Sequence, residues 1–142
     1  MARTLIGLVA ICTLFIAVCT AHAAGPKAPE GEWSVQLKPA PGNSLKGTTE
    51  AYPDTITIKD GKLSTEVNTK YGFDPVECTV KVQKGKTLVL ALLNDEKHGK
   101  SEYQLTFSGK DGKEVVGQMR WGKQGEDGKP KYAEYSLMGT KK

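Results

Sequence analysis

The chain is short of the side chains that do chemistry. Its 142 residues hold three cysteines and two histidines. Two of the cysteines, Cys12 and Cys19, and one histidine, His22, fall in an N-terminal stretch that reads as a signal peptide. There "MARTLIGLVAICTLFIAVCTAHA" has a positive start at Arg3, an apolar run from Leu5 to Cys19 and a small–x–small end at Ala21 and Ala23. This pattern predicts export, periplasmic or secreted, with cleavage after Ala23. The apolar run is shorter than the roughly 20 residues a spanning helix needs. A lipoprotein anchored at Cys19 is the smaller alternative, weakened because Val18 stands where a small residue is expected. The mature chain of 119 residues then keeps Cys78, His98 and Arg120 as its only cysteine, histidine and arginine.

Each scarcity excludes something. A lone Cys cannot close an intramolecular disulfide and is either a buried thiol or a reactive one. Zinc needs three or four His, Cys or carboxylate ligands, and that supply is missing, so no metal and no cofactor are expected. Cys78 and His98 make a nucleophile pair only if the fold joins a strand residue to a turn residue. Gly-rich phosphate loops require a helix behind them, and no stretch after the signal carries a sustained 3.6-residue apolar stripe. Asp60, Asp111 and Asp127 are accounted for by Asp-Gly turns. No catalytic residues are therefore assigned, and the protein is expected not to be an enzyme. The charges are interleaved, net +3 after cleavage, with no basic block set among aromatics, which argues against nucleic acid as a partner.

What the chain does have is alternation. Residues 24–31 form a Pro/Gly/Ala leader expected to be flexible. The domain spans 32–142, a size that suits one core. Period-two patterns put Trp33, Val35 and Leu37 on one face, then Ile56 and Ile58, then Leu63, Thr65 and Val67. Later strands give Val76, Cys78, Val80 and Val82, then Tyr103, Leu105 and Phe107, then Val115, Met119 and Trp121, and finally Tyr135 and Leu137. Asp-Gly or Lys-Gly turns recur at 59–62, 83–87, 110–113 and 126–129 and favour tight hairpins. The reading is all-β, an antiparallel meander of about eight strands. It closes as a small barrel or stays an open sandwich, and the meander favours the barrel.

One strand, "TLVLALL" (Thr87–Leu93), is apolar on both faces. With Leu88, Leu90 and Leu92 taken as inward, Val89, Ala91 and Leu93 face outward. Either the loop Pro39–Pro53 covers them or they form a patch for a protein partner.

"GEW", with Gly31 and Trp33 on the first strand of such a barrel, resembles the lipocalin signature. The segments "KYGFDPVECTV" and "GQMRWGKQGEDGKPKYAEYSLMGTKK" are also similar to short exported bacterial lipocalin-like proteins of the calycin type, which share a G–x–M–x–W, D-G-K, Y–x–x–x–G pattern. The resemblance implies a barrel whose Trp33 closes one end with an arginine from a late strand packed on it. Arg120 shares outward parity with Gln118, so it is not expected to fill that role. The chain also has no room for the helix that follows the barrel in lipocalins.

Two functions follow. One is a non-enzymatic binding protein that holds a small apolar ligand against Trp33, Tyr103, Phe107, Met119, Trp121 and Tyr135. The same aromatics can equally fill the interior as plain core. The other is an interaction or inhibitor module that works through its outer face or loops.

Overall fold

The computed structural model describes residues 25–45 and 49–142. The signal segment 1–23, the lipobox-like stretch at Cys19 and Ala24 lie outside the described residues. Nine strands run β1 (Gly31–Pro39), β2 (Tyr52–Lys59), β3 (Lys62–Thr65), β4 (Val76–Glu77), β5 (Thr79–Gln83), β6 (Lys86–Asp95), β7 (Gly99–Ser108), β8 (Glu114–Gln124) and β9 (Pro130–Lys141). They form one antiparallel sheet in the order β4-β3-β2-β1-β9-β8-β7-β6-β5. The first and last strands pair, Val35 opposite Gly139 and Leu37 opposite Leu137. The sheet therefore curls into a nearly closed barrel, as the alternation predicts.

Closure depends on a single extended stretch, Val76–Gln83. Its first half pairs with β3 and its second half with β6. The break falls at Cys78, whose N–H leaves the ladder and donates to Gly61 O at 2.9 Å. β4 and β5 are thus one broken strand, which makes the barrel eight-stranded in effect. The expected clean alternation over this stretch fades: Val76, Cys78 and Val80 are half-buried and Val82 is exposed. Cys78 packs at the edge of the core, not within it.

The hairpins follow from their turn residues. Asp60 and Gly61 both take positive φ between Lys59 and Lys62, and Lys84 and Gly85 do so between Gln83 and Lys86. Two positive φ values give the twist that a two-residue hairpin needs. Gly117 and Gly139 are inward positions where a Cβ would strike the neighbouring strand's backbone, at Gln104 O and Ser34 O respectively. Their bare backbones allow the close approach that strong strand curvature requires.

Three expectations are corrected. First, there is a helix, α1 (Glu66–Lys70). Five residues are too few for a visible apolar stripe. The signals are at its ends: Thr65 Oγ1 accepts from Asn68 N at 3.1 Å, and Glu66 pairs with Lys70 at 3.0 Å. Val67 is therefore helical and does not continue the strand.

Second, β6 has the opposite parity. Val89, Ala91 and Leu93 are buried, while Leu92 is 48% exposed. Their register partners Leu105, Tyr103 and Ser101 all point inward. Cross-strand partners share a face, so β7 dictates the orientation that a two-sided apolar strand cannot specify for itself. Val89, Ala91 and Leu93 belong to the core and form no partner surface.

Third, the described part of the loop after β1 does not cover β6. It extends along β9, with Asn43 Nδ2 donating to Glu134 O at 3.2 Å and Asn43 Oδ1 accepting from Glu134 N at 2.8 Å. Ser44 exchanges similar bonds with Tyr132. Ahead of β1, Ala28 is buried and joins the core.

Candidate functional site: the open end of the barrel

The registers place the start of β1, the 60–61 turn, the β5–β6 turn and the end of β9 at one end of the barrel. The β6–β7 turn, the end of β8 and the start of β2 lie at the other. Trp33 and Phe107 lie at the first end, both fully buried, with ring centroids 4.8 Å apart edge to face. Trp33 Nε1 donates to Gly112 O at 2.7 Å, which satisfies its one polar atom. Lys141 Nζ lies 5.3 Å from the Trp33 ring centroid and donates to Asp111 O at 3.2 Å. A Cβ at Gly31 would collide with the Lys141 side chain. Gly31 thus clears a path for a cation over Trp33, and that cation is a lysine from the last strand. Arg120 stays outside: its guanidinium lies 3.8 Å from the Tyr132 ring centroid and 3.5 Å from Glu134. This end is a plug.

The other end is hollow. A cavity of about 570 Å³ opens there, lined by Tyr52, Asn68, Tyr71, Phe73, His98, Ser101, Met119, Trp121 and Tyr135, with Glu50, Val67, Lys97 and Lys123 completing the wall. That volume falls in the range of about 300–1,000 Å³ typical of small-molecule pockets, as does a cleft of about 720 Å³ beside Asp60 and Cys78; the aromatic lining sets the mouth apart. Of the six residues expected to line a ligand site, Met119, Trp121 and Tyr135 line this cavity. Tyr103 is buried and hydrogen-bonded to the lining residue Asn68, while Trp33 and Phe107 belong to the plug.

Alternation missed Tyr71, Phe73, Asn68 and His98 because they lie off the regular strands. The excursion Glu66–Pro75 leaves β3 as α1 and returns as β4, occupying the wall between β3 and β6 where neither strand has a partner. Asp54 fixes α1 in place. Its Oδ1 accepts from Val67 N at 3.0 Å and from Thr55 N at 2.7 Å. Burial raises the Asp54 carboxyl above its ordinary range, against the lowering effect of those hydrogen bonds. Burial likewise pushes the phenols of Tyr52 and Tyr103 upward, with neighbouring tyrosines and Asp54 adding to the effect on Tyr52.

At the rim, His98 Nδ1 lies 2.8 Å from Asp95 Oδ1, which also accepts from the His98 and Lys97 backbone N–H groups. These bonds, the His98 backbone N–H first, hold the Asp95 carboxyl below its ordinary range. Trp121 Nε1 donates to His98 O at 2.7 Å, tying β8 to this turn. The His98 ring lies 5.4 Å from Tyr71 and 6.3 Å from Phe73.

Cys78 sits beside Gly61 near the plug, so the fold separates it from His98. Among the described residues no group of three or more His, Cys, Asp or Glu is placed to hold a metal ion. No described helix is long and apolar enough to cross a membrane. On the outer face, Val116 and Met138 stand opposite each other across β8 and β9, 51% and 58% exposed. Comparison with family models, with curated proteins and with solved structures finds no match for this chain.

Proposed function

We propose that the protein is a non-enzymatic binding protein, lipocalin-like in architecture and exported, that takes a small, mainly apolar molecule into the open end of the barrel. The observation that carries this reading is the division of one barrel into a filled end and an aromatic-lined mouth of about 570 Å³. Aromatic side chains around a concave site supply contact area with little conformational freedom to lose. Export rests on the N-terminal sequence alone, and N-terminal sequencing of the exported chain is expected to begin at Ala24. A start at Cys19 would replace this with a lipid anchor.

Titration with the neutral apolar dye N-phenyl-1-naphthylamine tests the pocket. A saturable rise in dye fluorescence, fed by energy transfer from the tryptophans, is the expected result. Trp121→Ala should weaken the dye about tenfold or more, and Arg120→Ala less than about twofold, since each 1.4 kcal/mol is tenfold. No saturation, or equal effects of the two substitutions, rejects the mouth as the site. A second reading, an interaction module, is favoured by the exposed Val116–Met138 pair. Dye binding with unchanged affinity in Trp121→Ala would point to that outer surface.

A further inference from the structure

Two polar side chains lie among the buried apolar ones of the mouth, Phe73, Met119 and Tyr135. Asn68 and Ser101 both line the cavity, yet they are only 6% and 1% exposed. Their mutual bond is slack: Ser101 Oγ lies 3.5 Å from Asn68 Oδ1, at the outer limit for a hydrogen bond. Asn68 Nδ2 spends one of its two hydrogens on Tyr103 OH at 2.9 Å. A carboxamide offers two donors and two acceptor sites and a hydroxyl offers one donor and two. Among the described residues the pair therefore keeps one amide hydrogen and at least one acceptor unspent. Interchanging the amide N and O leaves the same spare donor and acceptor. The pair is also held in place, because Asn68 N is fixed to Thr65 Oγ1 and α1 to Asp54.

Charge narrows the choice. No buried Lys or Arg lines the cavity; Lys97 and Lys123 are exposed. The carboxylate in the lining, Glu50, is exposed, and burial, with the Asp54 carboxyl adding to it, disfavours negative charge on Tyr52 and Tyr103 alike. An anion seated there would be desolvated without a counter-charge. A purely apolar molecule would strip water from Asn68 and Ser101 and leave their spare groups unsatisfied.

We infer that the ligand is a flat, uncharged molecule that enters head first, its neutral hydrogen-bonding group (a hydroxyl, carbonyl or carboxamide) seated on Asn68 and Ser101 and its ring among Trp121, Tyr71 and Phe73. This rests on the mouth being the binding site. It sets the ligand class and its orientation.

Isothermal titration calorimetry with three probes that share one ring system tests it: 2-naphthol, naphthalene and 2-naphthoate, at neutral pH. The expected result is that 2-naphthol binds about tenfold tighter than naphthalene and about tenfold tighter than 2-naphthoate. Ser101→Ala, shown to be folded by its thermal unfolding midpoint, should reduce the naphthol-to-naphthalene ratio to under about threefold. Equal binding of the three, or tightest binding of naphthalene or of the carboxylate, overturns the polar-head inference and leaves the mouth as a site. Failure of all three to bind overturns the mouth as well. The wild-type affinities decide even if the variant does not fold.

Discussion

The two ends of this barrel are built from the same strands with the same alternation, yet they do opposite things. At the plug, Trp33 and Phe107 meet edge to face, and the one polar atom of Trp33 is spent on Gly112 O at 2.7 Å. At the mouth, Trp121 also donates its Nε1 to a backbone carbonyl, His98 O at 2.7 Å, but its ring remains only half-buried beside a cavity. The two tryptophans differ in what lies across the barrel from them. The plug has apolar residues buried on six strands: Trp33, Ile58, Leu63, Val89, Phe107 and Val115. The mouth has α1 and the segment leading to β4, an irregular insertion that covers the wall without filling the space. A small barrel can thus keep its stability at one end and leave the other available for binding.

Truncating each tryptophan in turn separates the two ends. Trp33→Ala should cost about 3–5 kcal/mol, as large aromatic-to-Ala changes in cores do. Trp121→Ala should cost less, because part of its surface is already exposed. Urea unfolding of the two variants is the measurement, and equal losses would mean that the mouth is as much core as the plug.

Asp54 is a second difference between the two ends. It is the buried carboxylate that anchors α1, and the plug has no counterpart among the described residues. Asp54→Ala leaves two backbone N–H groups without their acceptor and should cost about 1–3 kcal/mol. Asp54→Asn keeps an acceptor oxygen and removes the buried charge, so it should be near neutral or stabilising at pH 7. The sign of the pH dependence follows from the raised folded pKa. Between the ordinary and the raised value, the folded protein binds the proton that the unfolded chain has released. Wild type therefore gains stability as pH falls through the raised value, and Asp54→Asn lacks that gain. The advantage of the Asn variant should shrink as pH falls from 7 towards 4. An advantage that stays constant or grows would mean that Asp54 is not raised.

These two ends were not equally legible in the sequence. The plug was written in alternation: Trp33, Ile56, Ile58, Leu63 and Phe107 fall on inward parity and are buried. The mouth was written half in alternation, through Met119, Trp121 and Tyr135, and half outside it. Asn68 lies on a helix too short to show a period, and Phe73 and His98 lie in irregular segments. Only end signals mark that helix, Thr65 before it, Lys70 in its last turn and Gly72 just beyond. Strand β6 failed for a different reason. With apolar residues on both faces, period two leaves its parity undetermined. The neighbouring β7, which is unambiguous, would have set it through the short 96–98 turn, which pairs Asp95 with Gly99 and hence Leu93 with Ser101.

The one arginine of the described residues belongs to neither end. Arg120 faces outward on β8 and is not among the residues that line the mouth. Its partners are the Tyr132 ring and Glu134, both on the adjacent strand β9, and Glu134 is its direct register partner. The ion pair is exposed and is worth little on its own. The stack is what a lysine cannot reproduce, because a planar guanidinium lies flat on a ring and an ammonium does not. Arg120→Lys should therefore cost under about 1 kcal/mol, the scale of an exposed cation–π contact. Arg120→Lys in a Tyr132→Leu background should cost nothing further, since the stack is already gone. A double-mutant cycle by urea unfolding reads that coupling. If the cycle shows none, Arg120 is merely solvated. If dye affinity at the mouth follows the substitution, the outer face and the mouth are not independent, and the division of this barrel into two ends fails.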